Sequence, residues 1–413
     1  MKLHIFGFLL LFFLFNASIN SAEETKHDIK VKVNALAEAN NYLALKLYKQ
    51  LSNGYTKNIF FSPLSLSMAF GMLFHGARNN TMEVLRNALG YEAAGLNSDE
   101  VSDLFYHLLE EELPPADTKN PAYLLEIANQ ILIKDGLHLN EAFKEELNNL
   151  FHAPIEEVNF GKDSSEIIKS VNQWVDEKTH GKITNLLQQL DPGTALLLLN
   201  AVYFKGNWEK QFNPKVTNDQ SFFNDGVEAN AKPVPFMHMT DVFKYASTGD
   251  AQVIELPYEG NNISMMVLLP KKLDGLLAVE ENLTYEKIAS VRKQLSKIKV
   301  VLSLPKFKVD YSRDMTGDFK AVGAGEAFDP SKANFTGIAD AGLYVSQVIH
   351  KAAVEVNEEG SEAAAATAVI MPMMARPMPL PPVMVFNANH PFLFAIMDNR
   401  NEMIMFAGRV NEL

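Results

Sequence analysis

Cysteine is absent from all 413 residues. Disulfides, thiol nucleophiles and cysteine-based metal sites are therefore excluded, and a chain of this length needs no disulfide to hold a core. Positive charge is scarce: 37 Lys and Arg stand against 50 Asp and Glu, a net charge of −13. That balance argues against nucleic acid and against anionic membrane surfaces as partners. Long apolar runs are also missing. Beyond the N-terminus the strongest is 195–204, which is too short to cross a membrane and reads as a buried strand. Enzyme signatures of the G-x-S-x-G, H-E-x-x-H and P-loop types do not occur, and the ten histidines show no metal-ligand spacing. The expectation is a protein that is not an enzyme, with no cofactor and no metal.

What is present begins with an address. Met1-Lys2 precede an apolar run over residues 5–15, followed by small and polar residues at 16–22. The run is too short for a bilayer but suits the core of a signal peptide. Residues 1–22 are read as that peptide, with cleavage between Ser18 and Glu23, and 23–413 as a secreted, extracellular chain. The Asn-X-Ser/Thr triplets at Asn79, Asn262, Asn282 and Asn334 are then candidate glycan acceptors.

Helical spacing of apolar residues covers 34–51, through Leu36, Leu43, Leu47 and Leu51. Ser62 as cap with Pro63 in the first turn opens a second helix to about His75. Further helices are expected at 81–89, 98–113, 140–151 and 164–178. Strand-like runs follow at 195–204, 234–239, 252–256, 263–269, 299–304, 343–349, 351–356, 383–386, 392–397 and 403–409. No internal repeat is visible, and no linker divides the chain before residue 357. The reading is one α+β domain with large sheets.

Residues 357–382 break the pattern. Asn357-Glu358-Glu359-Gly360-Ser361-Glu362 leads into Ala363, Ala364, Ala365 and Ala366, then Thr367-Ala368-Val369-Ile370 and a Met/Pro tract. Five of the eleven residues from Pro372 to Pro382 are proline, which forbids helix and central strand there. A loop of about 25 residues inside a compact domain is normally functional or disordered. Only about 30 strand-like residues follow it, enough to complete a first domain but not to build a second. The loop is therefore an excursion from one domain.

The stretch from Glu358 to Thr367 resembles the mobile hinge of inhibitory serpins nearly residue for residue. Asn58-Ile59-Phe60-Phe61-Ser62-Pro63-Leu64-Ser65 is similar to the family's shutter motif. Trp174 to Ile183, Asn200 to Trp208, Glu255-Leu256-Pro257-Tyr258, Leu304-Pro305-Lys306-Phe307, Ala327-Phe328-Asp329-Pro330, Asn389 to Phe394 and Phe406 to Val410 match as well. The resemblance covers essentially the whole mature chain. It implies the serpin fold, a single domain with about nine helices and three β-sheets and an exposed reactive-centre loop at 358–382.

The resemblance further implies a suicide substrate. A serine protease of the chymotrypsin fold attacks the loop and forms an acyl-enzyme, and the cut loop inserts into the central sheet before deacylation. Trp208 and Lys306 fall in the family's breach region, with Lys306 placed to pair with Glu358. Ser62, Asn200 and His350 fall in the shutter. The hinge residues are Glu358, Glu359, Gly360, Ser361, Glu362, the four alanines and Thr367. An inserted strand has a period of two. With Ser361 inward, Ala363, Ala365, Thr367, Val369 and Met371 follow it, and Glu362 stays outward.

Family spacing puts the cut sixteen residues after Glu358, between Met374 and Ala375. A methionine there suits an apolar elastase-like, chymotrypsin-like or cathepsin G-like pocket. The alternative is Arg376 with a trypsin-like enzyme, which Pro377 at the next position disfavours. A second alternative is a non-inhibitory carrier on the same fold. Heparin is not expected to bind the 98–113 helix, which carries Asp99, Glu100, Asp103, Glu110, Glu111 and Glu112 and no Lys or Arg. A monomer is expected.

Overall fold

The computed structural model describes residues 28–54, 56–113, 122–340, 342–359 and 383–413. The signal peptide over 1–22, hinge residues Gly360 to Thr367, and Met374, Ala375 and Arg376 lie outside the described residues.

Helix α1 covers 28–52, six residues earlier than its apolar stripe suggests, and buries Leu36, Leu43, Leu47 and Leu51. A short strand β1 (Ile59–Phe61) leads into α2 (Pro63–Gly76). Ser62 caps α2 by accepting from the Ser65 amide at 3.1 Å, as the Ser-Pro pair predicts. Next come α3 (Asn79–Ala88) and α4 (Ser98–His107). α4 begins at a capping box of Asn97 and Glu100. Residues Leu108–Glu112, expected to continue it, instead form a π-helical turn. The middle of the chain holds β2 (Tyr123–Lys134), α5 (Glu141–Phe151), β3 (Ile155–Val158), α6 (Ser164–Lys178) and β4 (Leu196–Gly206).

Strands then dominate: β5 (Asn218–Phe223), β6 (Ala231–Ser247), β7 (Ala251–Pro257) and β8 (Ile263–Pro270). Two short helices, α7 (Leu276–Glu281) and α8 (Tyr285–Gln294), precede β9 (Ser296–Pro305) and β10 (Phe307–Asp314). After α9 (Thr316–Phe319) the chain finishes with β11 (Val345–Val356), β12 (Met384–Asn387), β13 (Phe392–Asp398) and β14 (Ile404–Val410). Nine α-helices are thus present among the described residues.

One sheet has the order β10-β11-β4-β2-β3. The other runs β1-β14-β13-β8-β7-β6-β9-β12, with β5 also on β6. The long strand β6 joins two parts of this second sheet. Lys244–Ser247 pair with β7, while Phe236–Tyr245 pair with β9 and Ala231–Phe236 with β5. The three expected sheets are thus two hydrogen-bonded networks, the smaller pair fused through β6.

The five-stranded sheet is buried on both faces. Leu196, Leu198, Val202 and Phe204 of β4 enter the main core. The alternating Leu197, Leu199, Ala201 and Tyr203 pack with Ile167, Val171 and Val175 of α6. That two-sided burial explains why β4 reads as one continuous apolar run rather than an alternating one.

Candidate functional site

The chain enters the undescribed 360–382 segment directly from β11, so β11 and its neighbours position whatever that segment does. β11 pairs with β10 antiparallel and with β4 parallel, from Val345 opposite Leu196 to Val354 opposite Phe204. Parallel pairs are slightly the weaker kind per residue. β11 and β4 therefore meet at a weaker, fully buried seam. A segment that turns back at the end of β11 must run antiparallel to it. It would then be antiparallel to β4 as well.

The top of this seam is tied down. Glu358 lies two residues past the end of β11, not within it, and is buried. Its carboxylate meets Lys306 Nζ at 2.7 Å and accepts from Thr217 Oγ1 at 2.8 Å. Its carbonyl accepts from the Phe212 amide at 3.0 Å. Burial pushes the Glu358 carboxyl up, but the Lys306 bond, the backbone and the Thr217 hydroxyl outweigh it and hold the group below the usual range. Trp208 Nε1 donates to the Asn357 carbonyl at 2.9 Å. Its ring stacks on Tyr258 with centroids 4.5 Å apart. Gly206 makes that stack possible, because a Cβ there would sit 2.5 Å from the Tyr258 ring.

Halfway down the seam lies a polar row. Asn200 of β4 stands opposite Asn129 of β2 and opposite His350 of β11, and all three are buried. His350 Nδ1 lies 2.5 Å from Asn200 Oδ1. His350 Nε2 accepts from the Ser62 amide at 3.3 Å. Asn200 Nδ2 points at Asn129 Oδ1 at 2.5 Å, at the Ser65 carbonyl at 3.2 Å and at Ser65 Oγ. Ser62 Oγ donates to the Met405 carbonyl at 2.7 Å, so β14 joins the cluster. Desolvation brings His350 down to about 3. It is neutral, donating through Nδ1 and accepting through Nε2. Ser62, Asn200 and His350 are thus brought together at mid-sheet, and Trp208, Lys306 and Glu358 at its top.

Sequence reasoning missed Thr217, Phe212, Tyr258 and Asn129 as members of these clusters, whereas Ser65 falls in the shutter motif as the resemblance implied. Asn129 left a trace, because it interrupts an apolar run as Asn200 does. Thr217 left none.

The Lys306 tie has a measurable consequence. Lys306 is partly exposed, so removing it costs about 1 kcal/mol, or about fivefold in a rate. The Lys306→Ala variant is expected to lose its native loop arrangement about fivefold faster on mild heating. Trp208 fluorescence checks this, because its hydrogen bond is made to Asn357 in the same turn.

Among the described residues no group of three or more His, Asp or Glu could hold a metal ion.

A family model described as Serpin (serine protease inhibitor) matches residues 38–413. Serpin B6 of Macaca fascicularis is 39% identical over 384 residues, covering 91% of this chain and 99% of that protein. Iripin-2 of Ixodes ricinus is 39% identical over 383 residues, covering 92% and 94%. Among solved structures, human thyroxine-binding globulin is similar with a TM-score of 0.81 at 26% identity, covering 92% of this chain and 99% of that one. Serpin48 of Tenebrio molitor gives 0.79 at 28% identity, covering 92% and 98%.

Proposed function

The chain belongs to the serpin family, and from that premise we propose that it is a secreted, irreversible inhibitor of a chymotrypsin-fold serine protease. The observation that carries this reading is the parallel β4–β11 seam with Glu358, at the start of the hinge sequence, tied at its top. Insertion there replaces one parallel pairing by two antiparallel ones. A new strand of about a dozen residues gains on the order of 10 kcal/mol in net hydrogen bonding. The uninserted form is then held kinetically rather than at equilibrium.

Length supports the trapping step. Residues 360–374 span about 50 Å as a strand, while the twelve residues of β11 span about 40 Å. A protease acylated at Met374 would be carried past the far end of the sheet. The small, uncharged residues Ala363 to Ala366 favour entry, and an apolar pocket fits Met374. We take Met374-Ala375 as the reactive bond, with Arg376 as the rival, and a monomer as the acting form.

Secretion is supported by the apolar run at 5–15. Serpin B6 is matched over 99% of its length by only 91% of this chain, which leaves sequence here that it does not share. Asn79, Asn262 and Asn282 are exposed and are the better glycan acceptors. Asn334 is half-buried, and its Oδ1 accepts from Thr336 Oγ1 at 2.8 Å.

Incubation with chymotrypsin, pancreatic elastase and trypsin tests the proposal. An SDS-stable complex is expected, together with a released C-terminal peptide whose mass begins at Ala375. Cleavage without a complex would make the chain a mere substrate. A peptide beginning at Pro377 would move the target to the trypsin-like class.

A second reading, carriage of an apolar small molecule, is favoured by a small open apolar cleft lined by Ala44, Tyr48, Met266, Leu283, Ile288 and Phe394. Carriage and inhibition use different parts of the fold, so complex formation separates them.

A further inference from the structure

Ten large hydrophobic side chains are exposed among the described residues, and four of them gather in one place: Val242 at 52%, Val301 at 37%, Val383 at 48% and Val385 at 61%. Scattered exposed valines are unremarkable, but a cluster marks an interaction surface. Strand register assembles it. Val385 of β12 stands opposite Val301 of β9, which stands opposite Thr240 of β6. Val242 lies opposite Lys299, and Lys244 opposite Lys297. All of these residues share the outward face, since the alternating Val300, Leu302 and Phe243 are buried. The patch measures about 10 Å across three strands and about 14 Å along β9.

Its charge is opposite to that of the molecule. Lys244 is neutralised by Glu255 at 2.6 Å. Lys297 and Lys299 have no ion pair among the described residues. Asp241, the nearest acid on β6, is bound by Lys210 at 2.7 Å and is attracted by Lys299 only at longer range, without an ion pair. His238 on the same face is held by Gln220 and Ser303. Two unpaired lysines beside a valine row therefore stand on a chain of net charge −13. Lys297 directly opposes another lysine, an arrangement unfavourable in isolation.

The loop re-enters the fold here, with Val383 the first described residue after it. Met374 is nine residues away, at most about 30 Å. A protease held at that bond is itself at least about 30 Å across, so this face lies within its reach. From these observations we infer that the outer face of β6, β9 and β12 is an exosite that selects proteases with an acidic surface beside their active site. The inference rests on the inhibitory reading above. The loop's own 372–382 tract cannot be the occupant by charge, since its one charged residue is Arg376. A sulfated polysaccharide would use the lysines but leave the valines unexplained, whereas a protein partner uses both.

The test compares chymotrypsin with succinylated chymotrypsin, each normalised to its activity on a small substrate. Wild-type chain is expected to form covalent complex about tenfold faster with the succinylated enzyme at low salt, the difference vanishing near 1 M NaCl. Lys297→Glu with Lys299→Glu removes that preference at unchanged stoichiometry of inhibition. Val301→Ser with Val385→Ser slows both enzymes severalfold. An identical charge response in the lysine variant overturns the exosite, as does heparin binding that is lost in the same variant, which would reassign the face to polyanions. If no covalent complex forms with either enzyme, the inhibitory reading fails instead. The face is then read by binding of succinylated chymotrypsin inactivated with a sulfonyl fluoride. Weaker binding by the lysine variant upholds it, and equal binding overturns it.

Discussion

Replacing Ala363 with arginine is expected to abolish covalent inhibition while leaving the chain folded and cleavable. The reason lies in the seam rather than in the loop. β4 and β11 are buried on both faces, with the main core on one side and α6 with its cluster on the other. Tyr203, Phe204, Ala352, Ala353 and Val354 are all shielded from solvent. One side of an entering strand is wet at this level, as the exposed Glu355 shows, whereas a residue entering on the core-facing side, beside Phe204 and Val354, has no water to reach. An unpaired guanidinium there costs several kcal/mol, about 3–5 by comparison with broken buried pairs. A penalty of about 4 kcal/mol slows insertion about a thousandfold. On the proposed mechanism inhibition is a race between insertion and deacylation, so the acyl-enzyme is expected to hydrolyse before it is trapped. Ala363→Ser, small and able to pair locally, should remain an inhibitor. The stoichiometry of inhibition and an SDS gel check both variants. A full-strength covalent band from Ala363→Arg would show that the loop does not enter this seam.

How much of this was legible in the sequence depended on where polarity fell. α2 was readable from Ser62-Pro63 and ends within one residue of the expected place. β11 was expected as two strands, 343–349 and 351–356, parted at His350. It is continuous over Val345–Val356, because Asn200 and the Ser62 amide satisfy the histidine and let it stay neutral inside. β2 was missed because Glu126, Asn129 and Gln130 occupy buried positions and hide its apolar character. β6 was expected only over 234–239 and runs to Ser247. The extension is solvent-facing on one side, where Thr240, Val242 and Lys244 alternate with inner residues. β10 alternates buried and exposed residues from Phe307, a period-two signal that was passed over. For the site, the hinge and its lysine were visible as motif resemblance. Thr217 was not, because its bond to Glu358 spans 141 residues and no local pattern encodes it.

The buried histidine makes the seam acid-sensitive. Both ring nitrogens of His350 are committed, Nδ1 as donor to Asn200 and Nε2 as acceptor from the Ser62 amide. A second proton would set Nε2–H against another donor in a dry interior. Its pKa is accordingly lowered to about 3, against about 6.5 when exposed. The sign follows from linkage. The closed seam binds no proton there above pH 3, while an opened or unfolded state binds one below about 6.5. Stability is therefore fully present above pH 6.5 and is lost as pH falls from there toward 3, at about 1.4 kcal/mol per unit. At pH 5 the loss is about 2 kcal/mol, or about thirtyfold in a rate limited by opening. Glu358, despite burial held below the ordinary carboxylate range by Lys306 and Thr217, adds acid sensitivity only once the pH falls below that range. His390, also lowered by burial, acts in the same direction as His350, so the informative quantity is a difference between variants. Wild type held at elevated temperature is expected to lose inhibitory activity about thirtyfold faster at pH 5 than at pH 7. His350→Gln keeps a donor and an acceptor but cannot titrate, and should lose most of that pH dependence. An unchanged pH profile in His350→Gln would move the acid switch away from the seam, with His390 the next group to substitute.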